Sequence, residues 1–276
     1  MSGIRFLKKN SIILWIALSL TIAGVIIVPK IPEIPLTNLN AIPISPSPCQ
    51  LDQQLKPPIN IEQKTFNIPQ KFAAKILRRV KPKNNQKVIS LTFDDGPWPK
   101  TTIAILDILK LNNIKATFFW LGTSLNKNPE IAQEVVKAGH AIGNHTWSHP
   151  TQPINPVTAK QEIECTAQLI YNTTGVKTFL FRPAGGRLNN GLAAYAKTQK
   201  YAIFKWSINS SDYSLSNPKF IVDNVLKEVK PGAIVLLHDG MGDRTTTVQA
   251  LPDMIKELKQ QGYRFVTLPE LLEIAN

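Results

Sequence analysis

Only two cysteines occur in the 276 residues, Cys49 and Cys165. They are too few and too far apart for a cysteine-based metal site. Cys49 lies in a proline-rich stretch and Cys165 in a helix-like one, so two free thiols and one bridge stay equally open. Histidine is also scarce, with four in the chain, and no His-Glu-x-x-His pattern occurs, which argues against a peptide-directed metalloprotease. No glycine-rich phosphate loop follows the first strand-like run, which counts against nucleotide binding. No internal repeat is present, and basic and aromatic residues are not interleaved on a folded face, so a nucleic-acid partner is not expected. Acidic residues are in the minority: 19 Asp and Glu stand against 32 Lys and Arg, for a formal charge of +13. The imbalance is local, since residues 1–85 hold 12 basic and 3 acidic side chains (+9) and residues 86–276 hold 20 and 16 (+4). The excess belongs to the leading segment and argues for an anionic surface near it, lipid headgroups or wall polymer.

What the chain does have is a long apolar run near its start. Arg5, Lys8 and Lys9 precede an uncharged stretch from Ser11 to Val28. As a helix it would rise about 27 Å, close to the hydrocarbon thickness of a bilayer. The run ends in Ile26, Ile27 and Val28 followed by Pro29, not in the small residues of a cleavage site. An uncleaved membrane anchor over residues 11–29 is therefore expected. Residues 1–10 would be cytoplasmic and everything after Lys30 on the extracytoplasmic side of the cell membrane; secretion after signal cleavage is the alternative. Residues 30–84 read as a spacer, because prolines such as Pro43, Pro46, Pro48, Pro57 and Pro58 prevent regular helix and favour extended backbone. Within it, Phe72 to Val80 has the pattern of a short amphipathic helix with a basic face.

Residues 85–276 read as the folded domain, with 43% apolar residues in the whole chain to close its core. Strand-like runs at 88–93, 116–121, 141–144, 178–181, 202–207, 233–237 and 265–268 alternate with helix-like ones at 101–111, 129–138, 157–172, 190–198, 218–229, 247–261 and 269–274. Repeated βα units of this size imply an α/β fold with parallel strands and helices outside, most simply a distorted or incomplete (β/α) barrel. A doubly wound open sheet is the alternative.

Polar groups follow these apolar runs at the same end: Asp94 and Asp95, His145 and His149, Arg182, Asp212, and His238 with Asp239. In a parallel sheet those ends share one face, so the groups would converge on a single mouth. His145 and His149 would be about 13 Å apart on a continuing strand, but on one face of a helical turn they would reach one metal. With Asp95 they make a two-histidine, one-carboxylate set suited to Zn²⁺ or another divalent transition metal. Two hydrogen-bonded histidines, and an ordinary structural ion pair for Arg182 and Asp212, are the plainer readings.

Thr92-Phe93-Asp94-Asp95-Gly96-Pro97, His145-Thr146-Trp147-Ser148-His149, Arg182-Pro183-Ala184-Gly185-Gly186, Asp212-Tyr213 and Leu236-Leu237-His238 resemble, in order and spacing, the motifs of the NodB-like polysaccharide deacetylases, carbohydrate esterase family 4. The resemblance covers roughly Lys87 to Asn276. It implies a divalent metal, Zn²⁺ with Co²⁺ or Ni²⁺ as alternatives, held by Asp95, His145 and His149, with Asp94 as general base. It also implies a Gly185 backbone N–H donating to the oxyanion, His238 as general acid oriented by Asp212, Arg182 tuning Asp94, and Tyr213 and Leu236 lining the acetyl pocket. Gly185 stands where the family often has tyrosine, Tyr213 where it has tryptophan, and Asn209 where it has an earlier aspartate. The implied activity is hydrolysis of N-acetyl groups from an N-acetylglucosamine-containing cell-wall or extracellular polysaccharide, the partner being a glycan polymer. An O-acetyl xylan-type esterase and a non-catalytic carbohydrate-binding wall protein are the rivals.

Overall fold

Alternation along the run from Val88 to Asp94 sets out both faces of the fold. Ile89, Leu91 and Phe93 enter the large cluster under the helices, while Val88 belongs to a second cluster on the other side of the sheet. With a side-chain period of two, Ser90, Thr92 and Asp94 share the face of Val88. All seven residues are buried, as expected of a strand covered on both sides.

A computed structural model of the chain describes residues 64–275. In chain order the elements are β1 (Lys64–Phe66), β2 (Ile76–Leu77), β3 (Val88–Asp94), α1 (Thr101–Leu111), β4 (Thr117–Trp120), α2 (Gly122–Lys127), α3 (Pro129–Lys137), β5 (Ala141–Asn144), α4 (Pro156–Thr174), β6 (Val176–Thr178), β7 (Leu180–Phe181), α5 (Leu192–Thr198), β8 (Ala202–Phe204), β9 (Ile208–Asn209), α6 (Pro218–Glu228), β10 (Ala233–His238), α7 (Thr245–Gln260), β11 (Arg264–Phe265) and α8 (Leu268–Ala275). The main sheet runs β2-β8-β7-β5-β4-β3-β10-β9, with β11 also on β3, and every pairing in it is parallel. β1 and β6 form a separate parallel pair. The sheet is parallel throughout and carries apolar clusters on both faces, a curled half-barrel that agrees with the expected incomplete (β/α) barrel.

The helices begin and end where local chemistry directs. Asn155 caps α4 by accepting from the Thr158 amide, Pro156 occupies its first turn, and Gly175 ends it in the left-handed region at φ 71°. Asn217 and Pro218 do the same for the start of α6.

Residues 64–84, expected as the end of the spacer, are part of this unit. Where an amphipathic helix was expected over Phe72 to Val80, the chain makes a 3₁₀ turn at Gln70–Phe72 and then β2, whose Ile76 and Leu77 pair with Ile203 and Phe204. A nine-residue helix is marginal alone. Edge pairing with β8 and burial of Val80 against Val88 and Ile234 decide the conformation instead. The expected cytoplasmic segment, membrane anchor and first part of the spacer lie outside the described residues. No described helix is long and apolar enough to cross a membrane. Cys165 is buried on α4 and is not a free thiol; Cys49 lies outside the described residues.

Candidate active site and metal centre

Because the strands are parallel, their C-terminal ends meet at one mouth. His238 pairs with Asp94 across β10 and β3, and Asn144, just before His145, pairs with Phe181, just before Arg182. Alternation places Leu236 and His238 on the same face of β10 as Ile234, so both reach the interior. A cleft of about 260 Å³ is lined there by Asp94, Asp95, His145, His149, Gly185, Gly186, Trp206, Asn209, Tyr213, Leu236 and His238. Eight of the ten residues singled out from the sequence thus share one cleft. Arg182 and Asp212 lie behind it, and they bond Asp94 and His238 rather than each other.

Asp95 leaves the β3 line because its backbone is left-handed, φ 80°, a conformation that costs a non-glycine residue and needs support. The support is dense. The Asp95 amide donates to the Phe119 carbonyl at 3.1 Å, Ser124 Oγ donates to the Asp95 carbonyl at 2.9 Å, and the Gly96 amide donates to Asp239 Oδ1 at 3.0 Å. Asp239 is fully buried and accepts a second bond from Thr102 Oγ1 at 2.7 Å; burial pushes its carboxyl up to about 7.

The turn carrying His145 and His149 is not helical. Thr146 (φ 78°) and His149 (φ 62°) are both left-handed and fold the loop back, bringing the two imidazole centroids to 5.1 Å. Glu162 of α4 holds that loop by accepting from the Trp147 and Ser148 amides, each at 2.8 Å, and from Ser148 Oγ at 2.6 Å. The Arg182 carbonyl lies 2.7 Å from His145 Nδ1. That bond places the proton on Nδ1 and leaves Nε2 with a lone pair facing the carboxylates.

Asp95 Oδ1 is buried and accepts no hydrogen bond, yet it lies 3.5 Å from His145 Nε2 and 3.8 Å from His149 Nε2. One ligand atom from each residue falls within 4.8 Å of the others. An orphaned carboxylate oxygen facing two imidazole nitrogens is costly unless a cation joins them. The donor set therefore fits a divalent metal. Burial, with the neighbouring His145 next in size, lowers the His149 pKa, which favours the neutral ligand form.

Asp94 Oδ1 receives Arg182 Nη1 at 2.6 Å, and Oδ2 lies 3.7 Å from His145 Nε2. Arg182 is 0% exposed, bonds Thr92 Oγ1 at 2.9 Å and lies 4.3 Å over the Phe119 ring. Across the mouth, Asp212 Oδ1 lies 2.8 Å from His238 Nδ1, and Oδ2 accepts from the His238 amide at 2.7 Å and Thr247 Oγ1 at 2.8 Å. Burial opposes protonation of His238, but the Asp212 bond and charge, with Asp94 and Asp95 behind them, outweigh it and raise its pKa. Tyr213, 51% exposed, meets the His238 ring edge-on at 5.5 Å. Leu236, 3% exposed, forms an apolar part of the lining. Gly185 sits in a 3₁₀ turn at φ 56°. The fourth histidine, His140, is a buried core residue whose pKa falls to about 4 through burial, and its Nδ1 accepts the Ala116 amide at 3.1 Å.

Sequence reasoning passed over Trp206, Glu162 and the role of Asp239. Glu162 had a signal: it is a charge on the face of α4 that also carries Ala159, Ile163 and Thr166, all buried.

Comparison with known proteins agrees with this geometry. The polysaccharide deacetylase family matches residues 81–204. A peptidoglycan-N-acetylglucosamine deacetylase of Bacillus cereus is 43% identical over 192 residues, covering 68% of this chain and 90% of that protein. The crystal structure of a peptidoglycan N-acetylglucosamine deacetylase in complex with 4-naphthalen-1-yl-N-oxidanyl-benzamide superposes with a TM-score of 0.69 at 35% identity, over 74% of this chain and 94% of that one. A CE4 family pseudoenzyme from Bacillus anthracis also superposes, with a TM-score of 0.67 at 29% identity over 72% and 69% of the two chains. The fold therefore occurs with and without turnover, and activity has to be argued from the side chains in the mouth. With its fold, its converging strand-end residues and its sequence in agreement, the chain belongs to the polysaccharide deacetylase family, CE4.

Proposed function

We propose that the protein is a metal-dependent N-deacetylase of a wall glycan, hydrolysing the acetamido group of N-acetylglucosamine units in peptidoglycan or a chitin-like polymer to acetate and a free amine. The observation that carries the reading is the orphaned Asp95 Oδ1 facing the two imidazoles, with an Arg182-bound Asp94 beside it. Zn²⁺ suits two nitrogen ligands and one oxygen ligand, with Co²⁺ or Ni²⁺ as alternatives. When held by Asp95, His145 and His149, the cation supplies Lewis acidity toward water and the acetyl carbonyl.

The chain's own groups do the rest. Asp94, held by the buried Arg182 guanidinium, takes a proton from the attacking water. Gly185, whose N–H donates to no acceptor among the described residues, donates to the oxyanion as the carbonyl carbon becomes tetrahedral. His238 then gives its Nε2 proton to the departing amine, with Asp212 on Nδ1 fixing the ring and favouring the charged form. Leu236 and Tyr213 enclose the acetyl methyl. Asp94 has gained one proton and His238 has lost one, so a proton exchange with solvent restores the start.

Acetate release from N-acetylglucosamine oligomers or peptidoglycan, with and without added metal, tests the reading. Release that Asp95→Ala abolishes supports it; no release, or release that Asp95→Ala leaves intact, refutes it. Matched N- and O-acetylated substrates separate it from an O-acetyl esterase. For localisation we propose a single-pass membrane protein with this domain outside the cytoplasm, supported by the basic and apolar order of residues 5–28. Digestion of the domain by protease added to intact cells is the expected result.

A further inference from the structure

One wall of the cleft has no side chains, and three cations stand around it without an anion. Gly185 and Gly186 form that wall. Lys205, directly after β8, places its Cε 3.0 Å from where a Cβ on Gly186 would be, and its Nζ lies 5.2 Å over the ring of Trp206, which lines the cleft. Arg187, exposed, places its Cγ 4.0 Å from a Cβ position on Gly185. Arg78, exposed directly after β2, follows Leu77, whose carbonyl accepts the Lys205 amide at 2.8 Å, so the two cations stand side by side. Among the described residues none of the three has a carboxylate within ion-pair distance.

Surface cations are ordinarily separated and solvated, or paired with an acid. Here the ring of Trp206 restrains one ammonium without neutralising it, so little freedom is left to lose when an anion arrives. The crowding of Lys205 and Arg78 is unfavourable until an anion relieves it. The location adds to the charge, because Gly185, Gly186 and Trp206 line the same cleft as Asp95, His145 and His149.

Resting on the reading of this site as a glycan N-deacetylase, we propose that Lys205, Arg187 and Arg78 form a subsite for a carboxylate borne by the neighbouring sugar. The site would thereby prefer an acid-bearing glycan, such as one whose N-acetylmuramic acid units carry a lactyl carboxylate free of peptide, over a neutral N-acetylglucosamine polymer. Lys205 and Arg187 flank the wall and make the contact; Arg78 adds field from behind.

The test compares two oligomers of equal length, one of N-acetylglucosamine alone and one containing N-acetylmuramic acid, using the full chain in detergent with metal added. The ratio of kcat/KM for the acidic over the neutral oligomer is measured for wild type, Lys205→Ala/Arg187→Ala and Lys205→Arg. The double variant is expected to reduce that ratio about tenfold, chiefly by raising KM on the acidic oligomer, while Lys205→Arg keeps the ratio near wild type. Raised salt should reduce the wild-type ratio in the same direction. A ratio the double variant leaves unchanged, whether the two rates fall together or neither falls, overturns the subsite and leaves the deacetylase reading standing. Acetate release from neither oligomer by wild type removes the deacetylase reading and the subsite with it.

Discussion

Arg182 serves both halves of the candidate chemistry with different atoms. Its guanidinium bonds Asp94, while its carbonyl receives His145 Nδ1. A side-chain substitution should therefore separate the two. Arg182→Lys is expected to reduce kcat about 10²-fold or more by leaving Asp94 badly held, while bound metal measured by mass spectrometry stays at the wild-type ratio. Loss of the metal as well would show that the guanidinium, not the carbonyl, supports His145. The Asp212–His238 pair makes a pH prediction. In the proposed mechanism His238 gives a proton to the amine, and its pKa is raised, so activity should be full below that raised value and fall as pH passes through it. Asp212→Asn lowers the pKa, so the descending limb of the kcat profile should move to lower pH. The same sign governs stability: the pair's contribution from His238 is complete below about 6.5, the unfolded value, and is lost as pH rises through the folded one. At this scale the sequence was most legible where chemistry demands rare residue types in a fixed order, as with Asp94, Asp95, His145, His149 and His238. Asp239 and Trp206 do their work through partners more than a hundred residues away or through packing, which spacing along the chain does not reveal.

Loops that carry ligands depend on elements that do not touch substrate. Glu162 holds the His145–His149 turn from α4 with three hydrogen bonds. Glu162→Ala leaves two loop amides without an acceptor, and thermal unfolding should show a loss of about 3 kcal/mol together with weaker metal binding. A stability loss with unchanged metal affinity would mean that the turn keeps its shape without the clamp. α1 matched its expected bounds, Thr101–Leu111, because its apolar spacing and the following loop agree. The single strand expected at 178–181 is instead β6 and β7 on different partners. An apolar run of four residues does not say which neighbour each half will choose. The helix expected over 72–80 was lost to edge pairing for the same reason. His145 and His149 converge through two left-handed residues, Thr146 and His149, where a helical turn was the simpler expectation; neither residue type announces that conformation.

Viewed as a whole, the chain's parallel barrel was readable because each βα unit repeats the same grammar, whereas strand order depends on long-range packing that no single unit encodes. The inclusion of residues 64–84 has a measurable effect. A chain beginning at residue 85 loses β1, β2 and the burial of Phe66 and Val80, exposing the edge of β8. It should unfold several degrees below one beginning at residue 64 and aggregate more readily, as scanning calorimetry and light scattering would report. Equal melting would mean that the half-barrel closes without its leading strands. β2 is joined to β8 by just two residue pairs, Ile76–Ile203 and Leu77–Phe204. So short a seam can fray while the rest of the sheet stays shut. Fraying there would part Arg78 from Lys205 and weaken the proposed hold on an acidic sugar, while Asp95, His145 and His149, which follow other strands, would keep their places.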